Sequence, residues 1–218
     1  KIFKLRNYGS SKKYYNDFVL AKTVVNAFAQ KADHFIITSF CSTKIKKKNT
    51  SVVPPIIRES VKKLKPSYGD KILVYLTRKD KHILKILQNI DEKFVVYGYN
   101  VNKRRKNIEF KEKKYFTKDL ENCKAIIASS GFTLISEALY LNKPYFAIPL
   151  KGQFEQVLNA LFLKKSGFGD YSDDVKDKDI IYFLYHLEQY KRNLSKYKFD
   201  FEKLPKILRK EINKFRDL

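Results

Sequence analysis

Apolar residues recur along this chain with two periods, and the switches between them mark out its elements. Over residues 14 to 30 (YYNDFVLAKTVVNAFAQ), Phe18, Ala21, Val24, Val25 and Phe28 fall at helical spacing, which predicts one amphipathic helix. HFIITSF at 34 to 40 is β-branched and aromatic, as a short buried strand is, and the polar, basic run CSTKIKKKNTS after it reads as a linker. Pro54 and Pro55 stiffen the exit from that run and place a domain boundary there. Beyond it strands and helices alternate. Strands are predicted at 71 to 77 (KILVYLT), 94 to 99 (FVVYGY), 107 to 110 (NIEF), 124 to 129 (KAIIAS) and 144 to 150 (PYFAIPL). Helices are predicted at 79 to 90, over TKDLENC, at 132 to 141 and at 154 to 165, the last ended by Gly167 as a left-handed cap. The runs ILVYL and AIIA lack period-two alternation, so both their faces are covered, which argues for a parallel sheet built from βαβ units. Two more helices, 178 to 195 and 201 to 217, follow, with Pro205 in the first turn of the second. The fold class expected is α/β: a Rossmann-like parallel sheet with helices on both faces.

Composition narrows the partners. With 44% hydrophobic residues among 218, the chain can bury a sizeable core, which excludes a disordered protein. Lys and Arg number 46 against 23 Asp and Glu, a net +23 spread from end to end. Such a surface favours phosphate-bearing partners, although a Lys-, Ile- and Asn-rich genome would produce the same balance. Cys41 and Cys123 form no pair pattern, and His34, His82 and His186 stand alone, so neither a disulfide framework nor a zinc site is expected. No apolar run approaches the roughly 20 residues of a membrane span, and no leader opens the chain; a cytoplasmic protein, membrane-peripheral at most, is expected. The chain begins at Lys1 and holds no Met, as a trimmed piece of a longer protein would.

The densest chemical signal lies at 128 to 160, ASSGFTLISEALYLNKPYFAIPLKGQFEQVLNA. A buried strand ends at Ser129, Ser130 and Gly131 turn, and a helix opens near Phe132, where unpaired amides carry partial positive charge and can hold a phosphate. Gly131 lacks the Cβ that would keep a diphosphate from the backbone, while Ser130 and Thr133 offer hydroxyls. Glu137, about a turn further in, is placed to accept both hydroxyls of a ribose. After the next strand, Gly152 permits a second tight turn, and Gln153, Glu155 and Gln156 lie at the start of a second helix on the same edge of the sheet. Taken singly, Ser-Gly is an ordinary turn and cap, Glu137 an exposed helix residue and Glu155-Gln156 first-turn polar residues. Their order and spacing together favour the phosphate reading.

SSGFTLISEALYLNKPYFAIPLKGQFEQVLNA resembles the donor-binding signature of GT-B glycosyltransferases, in particular the group of the MurG N-acetylglucosaminyltransferase (the family 28 C-terminal domain) and the UDP-glucuronosyltransferases. It is most similar to a small archaeal and bacterial glycosyltransferase family with FTLISEALYL and KGQFEQ. The resemblance implies a C-terminal Rossmann-like domain in which Ser130, Gly131, Phe132 and Thr133 meet the donor diphosphate and Glu137 the ribose. It puts Gln153, Glu155 and Gln156 at the sugar, and Tyr115 or Phe116, from KKYF, at the base. Where MurG-like enzymes have a glycine-rich turn after the domain's first strand, this chain has LTRKD (76 to 80), in which Thr77 and Arg78 would offer a hydroxyl and a charge to phosphate or form a solvated loop. The domains implied are residues 1–53 as the tail of an N-terminal acceptor domain with its linker, 54–200 as the nucleotide-sugar-binding domain, and 201–218 as a helix returning to the N-terminal remnant. Along that last helix Leu204, Ile207, Leu208, Ile212 and Phe215 form one apolar stripe.

The function implied is transfer of a hexosyl group from a UDP-sugar to an acceptor hydroxyl, without a metal or other cofactor, the catalytic base being unassigned. Expected partners are the UDP-sugar, a lipid-linked or polysaccharide acceptor, an anionic membrane surface and a second copy of the chain. Two other readings compete. A UDP-N-acetylhexosamine epimerase of the same fold would need carboxylates that the sequence does not clearly supply. A basic nucleic-acid-binding module would draw on KKK (46 to 48) and KRRK (103 to 106), which read as loops without interleaved aromatic residues.

Overall fold

The computed structural model describes residues 13–29, 32–41, 45 and 48–216. Lys46 and Lys47 of the KKK run, Gln30 of the first helix and Asp217 of the last lie outside them. The described residues form two units, one from residues up to 56 and from 198 onward, the other from 57 to 197.

In the first unit, helix α1 (Tyr15–Ala29) has no buried side chain, and Leu20, Val24, Val25 and Phe28 are exposed. Strand β1 (Phe35–Thr38) pairs in parallel with β2 (Thr50–Val53) from Phe35 opposite Thr50 to Thr38 opposite Val53. The linker expected over residues 41 to 51 therefore ends inside a strand. Three of the four β2 residues are β-branched, but the ladder that makes them a strand is contributed by β1. Helix α9 (Lys203–Arg216) packs on β2, and the His34 ring joins Ser51 Oγ at 3.0 Å and Glu211 Oε1 at 3.6 Å.

The second unit opens on a short helix α2 (Glu59–Lys62) and runs β3 (Lys71–Tyr75), α3 (Lys81–Gln88), β4 (Lys93–Tyr97), β5 (Lys103–Arg105), β6 (Ile108–Phe110), α4 (Phe116–Asn122), β7 (Ala125–Ser129), α5 (Phe132–Tyr140), β8 (Tyr145–Ile148), α6 (Phe154–Lys165), β9 (Gly169–Tyr171), α7 (Asp177–Tyr185) and α8 (Leu187–Ser195). The seven strands lie in the order β5-β6-β4-β3-β7-β8-β9, parallel except for β5. The apolar runs are covered on both faces, as their lack of alternation implies. Ile72, Val74, Phe94, Val96, Ile127 and Phe146 pack with Ile83 and Leu87 of α3 and Phe183 of α7. On the opposite face, Phe116 of α4 sets its ring edge-on to Tyr75 and Tyr97.

Two local readings change, and one strand joins those expected. KRRK is not a loop: Lys103 to Arg105 form the antiparallel edge strand β5, exposed throughout, a charged edge of the kind that discourages pairing with other chains. Residues 169–171 form β9, and Gly169 is required because a Cβ there would stand 1.8 Å from the Tyr145 carbonyl oxygen of β8. The helix expected at 178 to 195 is two helices meeting at His186. Gly167 does adopt the left-handed conformation (φ 69°) that ends α6.

Candidate functional site

The carboxyl ends of β3 and β7 lie side by side, and Thr77 Oγ1 and Ser129 Oγ hydrogen bond there at 2.9 Å. The Ser129 carbonyl accepts from the Gly131 amide at 2.9 Å and from the buried Tyr145 hydroxyl at 2.6 Å, which pins the turn into α5. Burial pushes the Tyr145 phenol above its ordinary pKa, so it remains the donor. The Ser130 carbonyl is held from the other side by Asn159 Nδ2 of α6 at 3.0 Å. Ser130 Oγ is buried and makes no hydrogen bond to any described residue. The ladder of α5 starts with Ile135 N–H donating to the Gly131 carbonyl, so the amides of Phe132, Thr133 and Leu134 lie ahead of it. A Cβ built on Gly131 meets nothing within 4 Å.

Helix starts at this edge differ in how their amides are met. Asp80 Oδ1 caps α3, accepting from His82 N–H at 2.8 Å and Ile83 N–H at 3.1 Å. The α6 start carries Glu155 in its first turn. That of α5 has neither a side-chain cap nor an acidic first-turn residue, and it follows a polar turn. Electrostatically it is the start most ready to take an anion.

Glu137 is not an exposed helix residue. Its side chain is 2% exposed and lies under Arg58, whose Nε donates to Oε1 at 2.5 Å and whose Nη2 donates to Oε2 at 2.8 Å. Arg58, just beyond the Pro54-Pro55 boundary, is a residue that reading the sequence missed, because nothing local links it to a carboxylate 79 positions away. Its pKa is raised, chiefly by that hydrogen bond.

The other anticipated residues divide. Phe132 is half-buried at the start of α5, and Thr133 is exposed beside it. Arg78 is exposed in the loop after β3. Gln153 and Glu155 are exposed at the start of α6, but Gln156 turns back on its own loop, its Oε1 accepting from Leu150 N–H at 3.1 Å and its Nε2 donating to Gln153 Oε1 at 2.6 Å. Phe116 is occupied in the aromatic packing on Tyr75 and Tyr97. Tyr115 lines a cavity of about 540 Å³ with Lys71, Arg104, Glu109 and Lys111, a cavity that none of Ser130, Gly131, Thr133 or Glu137 lines. Tyr115 and Phe116 are therefore not presented together toward one ligand. Asp177 and Asp179 have Asp-x-Asp spacing, but Asp179 accepts the Lys176 amide at 3.0 Å as a helix cap. Among the described residues, no group of three or more His, Cys, Asp or Glu side chains is placed to hold a metal ion, and no helix is long and apolar enough to cross a membrane.

A family model described as glycosyl transferase family 1 matches residues 1–188. The chain belongs to glycosyl transferase family 1. Solved structures give this family 1 chain the GT-B glycosyltransferase fold. Spinosyn forosaminyltransferase SpnP superposes with a TM-score of 0.52 at 13% identity, over 74% of this chain and 50% of SpnP. CalG4, the calicheamicin glycosyltransferase, does so with 0.51 at 15% identity, over 68% of this chain and 42% of CalG4. The glycotransferase of kitacinnamycin gives 0.51 at 16% identity, over 68% and 44%. No curated protein matches by sequence. At such identities the likeness is one of fold, and the family 1 chain spans about half the length of SpnP. Asn159 and Tyr145 join Arg58 as site-shaping residues that the sequence did not single out in this family 1 chain; both act on backbone carbonyls, and motif spacing carries no trace of such partners.

Proposed function

We propose that this chain binds the nucleotide-sugar donor of a glycosyltransferase of the MurG and UDP-glucuronosyltransferase kind, with a UDP-sugar as donor and an acceptor hydroxyl as the group glycosylated. The observation that carries the reading is the start of α5: an uncapped helix N-terminus beside an open Gly131 and a buried Ser130 hydroxyl that has no hydrogen-bond partner among the described residues. In the reaction the bond from the sugar anomeric carbon to the diphosphate oxygen breaks, a bond from that carbon to the acceptor oxygen forms, and the acceptor hydroxyl's proton passes to a base to which no residue of this chain is assigned. Ser130 Oγ, which has no accessible surface, is reached only if the turn opens, and the negative charge left on the diphosphate is met by the amides of Phe132 and Thr133 and by the α5 dipole. These are fixed before the reaction begins, so they stabilise the developing charge without reorganising. Glu137 serves the ribose hydroxyls, Gln153 and Glu155 face the sugar, and Gln156 holds the loop that carries them. With the charge met in this way, the leaving group needs no metal ion.

Calorimetric titration of the chain with UDP and with UDP-N-acetylglucosamine tests the reading. Both should bind, and Glu137→Gln should weaken UDP by about 1 to 3 kcal/mol, the scale of hydrogen bonds to a charged acceptor. Undiminished UDP binding by folded Glu137→Gln would remove the ribose role, and no binding by the wild-type chain would remove the donor-site reading altogether.

A further inference from the structure

The two partners in the Arg58–Glu137 pair are unequally placed. The Glu137 side chain is 2% exposed and that of Arg58 is 57% exposed, so the guanidinium is the outer layer and the carboxylate the inner one. One guanidinium edge takes both carboxylate oxygens, the planar match that makes such pairs directional. Because only 2% of the Glu137 side chain is exposed and the Arg58 guanidinium lies on both of its oxygens, a ribose that reaches them from solvent competes with that guanidinium. Among the described residues, the guanidinium hydrogen bonds only to Glu137.

We propose that Arg58 is a specificity residue that makes the site choose a ribose carrying a diphosphate over a bare nucleoside; the proposal rests on the roles given above to Glu137 and to the start of α5. Binding exchanges the partners of Arg58. When ribose hydroxyls donate to Glu137, Arg58 loses its anion. From Phe132 to Glu137 the helix rises only about 7.5 Å, and helical side chains lean toward the N-terminus. The guanidinium over Glu137 is therefore within one side-chain swing of the amides that hold the diphosphate. A nucleoside diphosphate gives Arg58 a new and more highly charged partner. A nucleoside gives it none, and for that ligand Arg58 is only a competitor.

The test is the sign of one substitution on two ligands. Titration of the full chain with uridine and with UDP, for wild type and Arg58→Ala, should show uridine binding about threefold or more tighter to the variant and UDP about threefold or more weaker. Shifts of the same sign, no shift in either ligand, or uridine undetectable with both proteins would overturn the proposal. Dideoxyuridine, which lacks both ribose hydroxyls, should gain nothing from the substitution; a gain equal to that of uridine would also overturn it. Arg58→Ala leaves a buried carboxylate without its partner, so Arg58→Gln, which retains a donor without the charge, is run beside it with circular dichroism. If the Ala variant does not fold, the same reversal of sign must appear in the Gln variant. Wild type binding no UDP would overturn the donor-site reading and this proposal together. UDP binding that Glu137→Gln weakens, with Arg58 variants acting alike on both ligands, would overturn the role of Arg58 alone.

Discussion

Replacing Gly131 with valine separates what the fold needs at the start of α5 from what a ligand needs. The backbone at Gly131 is extended (φ −67°, ψ 132°), a conformation open to any residue and favoured by β-branched ones, and a Cβ there meets no atom within 4 Å. The folded state therefore has no steric reason to resist the change. Loss of glycine's freedom in the unfolded chain should stabilise the protein by about 0.4–1 kcal/mol, a rise in Tm of about 1–4 °C for a domain of this size. Binding should move the other way. Valine fills the space over the amides of Phe132 and Thr133, and each hydrogen bond to a charged phosphate contributes about 1.5–3 kcal/mol. Losing two amounts to about 3–6 kcal/mol, or a hundredfold or more in the Kd of UDP. Thermal unfolding and calorimetric titration on the same preparations read both quantities. A variant that melts like wild type and binds UDP equally well would place the phosphates elsewhere, and one that melts many degrees lower would show that glycine is there for the fold.

Further predictions address the supports of that turn. Asn159→Leu removes the donor to the buried Ser130 carbonyl and should cost about 1–3 kcal/mol of stability together with UDP affinity; lost stability with unchanged affinity would mean that the turn keeps its shape unaided. Tyr145→Phe tests proton linkage. Burial raises the Tyr145 pKa in the folded state above its ordinary value of 10.0, so its contribution is intact below about pH 10 and is lost as pH rises, because the unfolded tyrosine gives up its proton first. The variant's stability should fall with pH above that point less steeply than wild type, by up to about 1.4 kcal/mol per pH unit; identical slopes in denaturant titrations would refute this. Lys143 is fully buried, its ammonium donating to the carbonyls of Ser67 and Cys123, and burial lowers its pKa. Lys143→Met leaves the buried Cys123 carbonyl short of a donor, while the Ser67 carbonyl can turn to water, and should cost about 1–3 kcal/mol in chemical denaturation; a neutral result would mean that shedding the buried charge offsets the loss.

Local sequence was enough for the alternation of β3, α3, β4, β6, α4, β7, α5, β8 and α6, for the two-sided burial of β3 and β7, and for the polar turn that opens α5. Those properties are local: an apolar run of strand length, a helical period or a Ser-Gly between them can be read within a dozen residues. What faces that turn was settled by packing between elements far apart in the chain. Arg58 reaches Glu137 across 79 positions, and Asn159 reaches the Ser130 carbonyl across 29. Strands β2, β5 and β9 are short and weakly patterned, and each became a strand because a neighbour offered its ladder: β1, β6 and β8 respectively. Likewise the KKYF segment placed two aromatic rings next to each other in sequence, but packing drew Phe116 onto Tyr75 and Tyr97 while Tyr115 went to a basic cavity. A periodic pattern reports which side of an element avoids water. Which charged or amide group meets it from another element depends on the order of the sheet, and no local run of residues encodes that.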